Sequence, residues 1–323
     1  MDYVLDSELA AVATFIPKVD FGDVTAAREL ARQFSGQAAA YESTRPLTVQ
    51  DIAIPGEQGA PPVAARLYLP ADRCGPVPGL LYLQGGAYVL GDLDGGDGPA
   101  RRIADQTGTA VLNVQYRLAP EDPYPAALDD CYAALRWMAG SAGHEHGIDA
   151  NRIGVLGESS GGGLAAALCL RSRDHGGPAL AAQFLDAPTV DDRLRTHSMR
   201  HLPDTPTWQA SNSPLSWQHY LRGTARPGDT DVPLYAAPGR AQLTDLVALP
   251  PAYVTAYQVD PTRDEGLDYA RLLIQAGVPT ELHHYSGAFH VAHAIPGTAI
   301  GARITADRMN AISRLLHGPN PPA

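Results

Sequence analysis

An α/β fold, with a mainly parallel sheet covered by helices on both faces, is predicted by two observations. From residue 80 onward, short apolar runs of strand length alternate with stretches of helical character. Within that alternation, Gly157-Glu158-Ser159-Ser160-Gly161 lies between an apolar run and a small-residue helical stretch, which reads as a sharp strand-to-helix turn.

The elements follow in order. Residues from 7 to about 41 read as helical, with Leu9, Val12 and Phe15 and then Ala26, Leu30 and Phe34 at helical spacing. Residues 49–54 and 63–69 are β-like and are separated by Pro55-Gly56-Glu57-Gln58-Gly59, so they form a hairpin. Residues 80–83, 110–114, 153–156, 182–185, 252–257 and 280–284 read as short buried strands, most of them separated by helices. Ligands of such a sheet are expected at the carboxyl ends of its strands. The stretch from 191 to about 228 breaks the rhythm and carries Trp208, Trp217 and Tyr220, so it is expected to pair with the N-terminal helices as a cap. The domain reading is therefore N-terminal cap helices over 1–45 and a catalytic domain over 46–323 with a cap insertion at about 191–228.

Composition narrows the partners. The 323 residues carry a net charge of −11, which argues against a nucleic-acid backbone or an anionic membrane surface and suits a small neutral substrate. Three widely spaced cysteines, Cys74, Cys131 and Cys169, make neither a disulfide framework nor a metal-ligand set. The first residues are acidic where a secretory signal needs base, and no run approaches about 18 apolar residues, so no membrane insertion and a cytoplasmic location are expected.

The turn at Ser159 reads as a nucleophile elbow. A serine is lifted out of the backbone on such a turn only if its spatial neighbours have almost no side chain, hence glycine two before and two after. Ser160 fits this spacing poorly because Glu158 precedes it by two. A carboxylate to orient the base is found in Asp260, which follows the strand at 252–257 and is kept out of helical geometry by Pro261. Asp264 and Glu265 compete, but they fall in the next helix, where solvent or its first turn is expected to take them. Among His283, His284, His290 and His293, His290 follows a loop at 285–288 from which an imidazole can reach the elbow. The order Ser159, Asp260, His290 is that of an α/β-hydrolase. Gln84-Gly85-Gly86-Ala87-Tyr88 follows the strand at 80–83, where Gly85, Gly86 and Ala87, with the N–H of Ser160, can supply oxyanion donors. Tyr88, Glu158, Trp208 and Trp217 are the expected substrate-pocket residues. The pairs His144-x-His146 and His283-His284 lack a third ligand at a recognisable spacing, so no metal is expected.

These residues carry a resemblance. From residue 80 to 290 the chain resembles the hormone-sensitive-lipase family of α/β-hydrolases, also called the family IV bacterial esterases. Its motifs are matched by Gln84-Gly85-Gly86-Ala87-Tyr88, Tyr116-Arg117-Leu118-Ala119-Pro120-Glu121, Gly157-Glu158-Ser159-Ser160-Gly161-Gly162 and Asp260-Pro261-Thr262-Arg263-Asp264-Glu265-Gly266. The resemblance implies about eight strands with a helical cap, and a serine carboxylesterase acting on short-chain esters without a cofactor. It places the catalytic serine, aspartate and histidine on Ser159, Asp260 and His290, gives Arg117 and Glu121 a bracing role, and leaves a homodimer through a sheet edge open. Acyl transfer, amide or carbamate cleavage on the same triad, and a non-catalytic binder on the hydrolase fold, stay as alternatives.

The chain departs from the family pattern at Gln84 and Ala87 in the oxyanion loop, at Glu158 and Ser160 beside the nucleophile, and at Val291 and Ala292 after the histidine. Neither loop change removes a backbone donor, but the Ala87 methyl is expected to narrow the path of the substrate. The last two changes leave His293 as a rival to His290.

Overall fold

The structure is a computed structural model and describes residues 3–37, 40–202 and 204–318. Met1, Asp2, Ala38, Ala39 and the side chain of Phe34, from the expected N-terminal helices, lie outside the described residues, as do Pro203 of the insertion and the tail 319–323.

Eight strands form one sheet: β1 (Leu47–Ile54), β2 (Val63–Pro70), β3 (Val77–Leu83), β4 (Ala110–Gln115), β5 (Ile148–Glu158), β6 (Ala182–Asp186), β7 (Ala252–Val259) and β8 (Thr280–Phe289). Their order is β1-β2-β4-β3-β5-β6-β7-β8. Only β2 pairs antiparallel with its neighbours; every other pairing is parallel. The hairpin and the six later strands stand where the sequence predicts them. β8 runs further than expected, because the segment read as a loop at 285–288 continues the strand past an irregularity opposite Tyr257 and Val259.

Among the described residues, ten α-helices accompany the sheet: α1 (Ser7–Ala13), α2 (Val24–Gln37), α3 (Asp97–Thr107), α4 (Ala126–Ala139), α5 (Ser141–Glu145), α6 (Ser160–Asp174), α7 (His197–His201), α8 (Ser213–Tyr220), α9 (Arg263–Gln275) and α10 (Ala299–His317). Alternation along the strands explains the layers. Leu81 and Leu83 of β3, with Leu112 and Val114 of β4 and Val155 of β5, pack beneath α4, α6 and α9. Leu80 and Tyr82, with Val111 and Leu156, turn to the other face and meet Ile103 of α3 and Ile312 of α10.

The N-terminal region is two helices, not one continuous run. Pro17 has no amide proton to give an i−4 carbonyl and Gly22 favours irregular backbone, so the chain is non-helical between Ala13 and Val24. That break lies against the long stretch between β6 and β7, which spans 187–251, contains α7 and α8 and includes the 191–228 region read as an insertion. Asn212 Nδ2 donates to Val19 O at 2.8 Å, the His219 ring lies 3.1 Å from Phe21 O, and the Phe21 ring meets Trp208 edge-on with centroids 5.4 Å apart. Within the stretch, the fully buried Asp192 carboxylate accepts both Arg240 Nε at 2.6 Å and Arg240 Nη2 at 2.7 Å, and also Gly228 N at 2.7 Å.

No described helix is long and apolar enough to cross a membrane. Arg240→Met should destabilise the protein by about 3–5 kcal/mol, because it leaves the Asp192 charge buried without its cation. Chemical denaturation checks this, and a loss below about 1 kcal/mol would mean that the pair does not hold the 187–251 stretch.

Candidate active site

The elbow is built by steric exclusion. A Cβ on Gly157 would stand 2.0 Å from Gly161 O, and one on Gly161 would stand 2.1 Å from Leu83 O, so neither position admits another residue without moving backbone. Between them Ser159 adopts φ 54° and ψ −119°, a left-handed backbone that costs a side-chain-bearing residue about 1–3 kcal/mol. Its own backbone groups are satisfied: Ser159 N donates to Asp186 O at 2.8 Å, and Ser159 O accepts Thr189 N at 3.0 Å and Gly163 N at 3.1 Å.

Ser159, His290 and Asp260 are brought together in one hydrogen-bonded line. His290 Nε2 is 2.9 Å from Ser159 Oγ, and His290 Nδ1 is 2.7 Å from Asp260 Oδ2. A carboxylate only accepts, so Nδ1 carries the proton and Nε2 presents its lone pair to the serine hydroxyl. Asp260 is fully buried at the end of β7, and its other oxygen accepts Thr262 N and Thr262 Oγ1, both at 2.9 Å. Burial alone pushes the His290 imidazole down, but the charge and hydrogen bond of Asp260 outweigh it. Asp186 and Glu158 add to the same side, and the net shift is upward from 6.5.

The rival acids are elsewhere, and not in solvent. Asp264 Oδ2 accepts Ser198 N at 2.7 Å and Glu265 Oε2 accepts Asp191 N at 3.0 Å, so both pin the 187–251 stretch to α9. Burial and the charges of Asp191 and Asp260 push the Glu265 carboxyl well above its ordinary range. The rival base His293 sits behind the elbow, with Nε2 3.2 Å from Glu158 Oε1 and Nδ1 3.3 Å from Asp186 Oδ2. His284, whose pKa burial lowers, lies on β8 and has no part in this line.

The oxyanion candidates surround the elbow. A Cβ on Gly85 would stand 3.0 Å from Glu158 O and 3.2 Å from Ser159 Cβ, so the loop backbone lies directly against the nucleophile. Gly86 has φ +139°, and a Cβ there would stand 2.3 Å from Leu90 O. Ala87, at φ 55°, carries a methyl that packs with Phe21, Val89, Ala119 and Trp208. Phe21 comes from the N-terminal segment and Trp208 from the insertion, and the Trp208 ring also stands beside His290. Ser160 opens α6, and its hydroxyl is buried without a partner among the described residues.

Of the four expected pocket residues, only Trp208 stands at the site, its ring 6.2 Å from the His290 ring. Tyr88 is buried instead, stacked on Tyr220 at 3.8 Å with its hydroxyl on Thr189 O. Trp217 is fully buried beside these two rings, because its helix turns that face into the core. Glu158 points away from Ser159 into a cluster that the motifs did not reveal. Its Oε1 lies 2.5 Å from Arg308 Nη1 and its Oε2 accepts the Tyr82 hydroxyl at 3.0 Å. Arg308 also lies 3.2 Å from Asp186 Oδ2, and Asp186 Oδ1 accepts the hydroxyls of Thr255 and Tyr257. Glu158, Asp186 and His293 offer ligand atoms within 4.8 Å of one another, yet the Arg308 guanidinium among them opposes any metal cation. A buried arginine 150 residues from Glu158 leaves no signal at motif range.

Bracing side chains lie just outside. Arg28 of α2 donates to both oxygens of Glu121, at 2.7 and 2.8 Å, and to Val89 O at 2.9 Å beside the oxyanion loop. Arg117 forks onto the buried Asp130, with Nη2 to Oδ1 at 2.8 Å and Nε to Oδ2 at 2.9 Å.

Comparison with known proteins finds the same architecture. A family model described as alpha/beta hydrolase fold matches residues 80–294. Esterase LipI of Mycobacterium tuberculosis is 38% identical over 276 residues, which is 84% of this chain and 83% of that protein. An ethyl acetate hydrolase of Pseudomonas putida is 34% identical over 271 residues, 82% of each chain. The solved structure of a bacterial heroin esterase superposes with a TM-score of 0.92 at 42% identity, covering 97% of this chain and 98% of that one.

Because Ala87 holds the oxyanion loop in a buried cluster with Phe21, Val89 and Trp208, Ala87→Gly should lower kcat/KM for small and bulky esters alike. A floppier loop misaligns its donors for every substrate. A gain confined to bulky esters would instead put the methyl in the substrate path.

Proposed function

This chain belongs to the α/β-hydrolase family and is a carboxylic ester hydrolase of its hormone-sensitive-lipase branch, and we propose that it cleaves small esters through an acyl-enzyme on Ser159. The observation that carries this reading is the unbroken line from Asp260 through His290 to the Ser159 hydroxyl. Ser159 Oγ attacks the ester carbonyl while His290 Nε2 takes its proton. Asp260 holds the tautomer and stabilises the imidazolium that forms. The backbone N–H groups of Gly86, Ala87 and Ser160, two in the loop and one at the positive end of α6, receive the oxyanion. His290 then returns the proton to the leaving alcohol, and water repeats the sequence to release the acid. No step needs a cofactor. The relatives are named as hydrolases, which favours neither transfer nor a non-catalytic binder.

The substrate is read from what covers the site. Trp208 beside His290, with Phe21, Val89 and Leu215 packed around it, supports a short apolar pocket under a cap formed by the N-terminal helices and the 187–251 stretch. Relatives named for ethyl acetate and for heroin support esters of small acyl groups. β8 is the last strand of the sheet, which fits a homodimer through a sheet edge, and three unpaired cysteines fit a reducing cytoplasm.

A fluorophosphonate probe tests the nucleophile: it should label wild-type protein at Ser159 and leave Ser159→Ala unlabelled. Ser159→Ala should also lower kcat by on the order of 10⁴ to 10⁶ while the fold persists, with a comparable loss in His290→Ala. Wild-type protein that neither reacts nor hydrolyses esters would end this reading. Among p-nitrophenyl esters of increasing acyl length, short chains should be preferred, and peak activity on long-chain triglycerides would contradict the capped pocket.

The pH profile follows from the upward shift at His290. Only neutral imidazole accepts the serine proton, and a raised pKa keeps it protonated to higher pH. The rising limb of kcat/KM should therefore centre above the ordinary histidine value of about 6.5. Rate measurements across pH 5 to 9 in constant ionic strength check this, and a limb below that value would place His290 in a different electrostatic setting.

A further inference from the structure

The ester chemistry uses one side of the elbow, and the buried charges lie on the other. Glu158 immediately precedes the nucleophile, and its carbonyl is also the nearest atom to the Gly85 Cα direction, 3.0 Å from a Cβ built there. Its side chain is held by three donors from three different elements. The Tyr82 hydroxyl comes from β3, whose end leads into the oxyanion loop. Arg308 comes from α10, and His293 from the turn three residues beyond His290. The other ring nitrogen of His293 faces Asp186 Oδ2 at 3.3 Å and the Tyr257 hydroxyl at 3.2 Å. Asp186 accepts Ser159 N through its backbone carbonyl, and Tyr257 lies on β7 three residues before Asp260. The ends of β3, β5, β6 and β7 and the base loop after β8 are thus tied to one buried cluster.

We propose that Glu158 and His293 are positioning residues, a buried bridge that fixes the distance between the nucleophile elbow and the base loop. The bridge links the two segments whose functional atoms, Ser159 Oγ and His290 Nε2, stand 2.9 Å apart. The bridge restrains the turn after His290, where Val291 sits at φ 50°, together with Asp186 Oδ2 on the other ring nitrogen of His293. Two features of Glu158 fit the role. The chain has glutamate where the family motif has aspartate, and the extra methylene lets the carboxylate reach His293 and Arg308 at once. Glu158 is also ionised, since burial would raise its carboxyl but Arg308 and His293 bring it below the usual range. Its charge and that of Asp186 act on His290 in the same direction as Asp260, although neither touches that ring. The groups facing His290 are Asp260, Thr262, Ser159 and Trp208, with the Glu158, Asp186, Arg308 and His293 cluster behind the elbow.

The proposal rests on ester hydrolysis through Ser159, and the test keeps the two apart by titrating active sites first. Wild-type enzyme and Glu158→Gln, Glu158→Asp and His293→Gln variants are compared after normalising rates to fluorophosphonate-labelled Ser159. If wild type is neither labelled nor active, the hydrolase reading fails and not the bridge. With wild type active, Glu158→Gln should lower kcat by about 10²-fold with KM nearly unchanged, the effect of a small misplacement of reacting groups. Its rising pH limb should also move to lower pH, because a negative charge near His290 is gone. Glu158→Asp should keep the limb in place and recover part of the rate. His293→Gln should reproduce the loss in kcat, and it decides the matter if Glu158→Gln does not fold. Wild-type kcat and an unmoved limb in Glu158→Gln would overturn the proposal. So would equal losses in the Gln and Asp variants with the limb unmoved, since that pattern belongs to packing alone.

Discussion

The geometry of this site depends on one backbone constraint, a serine held at φ 54° by neighbours that cannot retreat. Left-handed backbone is unfavourable for any residue with a Cβ, so Ser159 would relax if its surroundings allowed it. They do not. Gly157 and Gly161 are packed so that their missing side chains are replaced by carbonyl oxygens of the adjoining turn and of β3. The strain is offset by three backbone hydrogen bonds to Ser159, and it is the reason the hydroxyl projects toward His290 instead of lying in the sheet.

Around that turn the protein buries two separate sets of charge. On the open side, Asp260 and His290 form a pair whose remaining acceptor sites are filled by Thr262. On the closed side, Glu158 and Asp186 share Arg308 and are ringed by Tyr82, Tyr257, Thr255 and His293. Removing charges from water costs several kcal/mol each, and a buried pair does little more than recover that cost unless its hydrogen bonds are complete. Such clusters are therefore weak sources of stability. Their effect is to exclude alternatives, since strand ends whose charges are paired cannot slide without leaving one of them unpaired.

Much of this was legible in the sequence, for a definite reason. Parallel strands buried on both faces are short continuous apolar runs, and the candidate site residues sit where those runs stop, so strand-end position together with the glycine spacing and Pro261 located Ser159, Asp260 and the Gly85-Gly86 loop. His290 needed more, because the strand before it continues through a segment that reads as a loop. Where reasoning from sequence failed, tertiary packing had overridden residue type. Tyr88 and Trp217 have the character of pocket aromatics, yet they stack with Tyr220 in the core. Glu158 looked like a neighbour of the substrate because it is a neighbour of Ser159, but successive strand residues face opposite sides of a sheet. That rule was available, and it would have turned Glu158 away. The break between α1 and α2 was available too, in Pro17 and Gly22. Arg308 was not, because only the fold brings α10 beneath β5.

The N-terminal segment packs beneath the ends of β7 and β8. Leu9 of α1 is fully buried in a cluster with Val259, Phe289 and Ala292, and Asp6 N donates to Gly287 O at 3.0 Å. Val259 immediately precedes Asp260 and Phe289 immediately precedes His290, so this helix completes the core beneath both the acid and the base. From the insertion, the Thr207 hydroxyl donates to His290 O at 2.7 Å. A seven-residue helix has no stability of its own in water, and α1 is ordered only by what it packs against. Any movement that lifted α1 would therefore uncover Leu9 and loosen the two strand ends that precede Asp260 and His290.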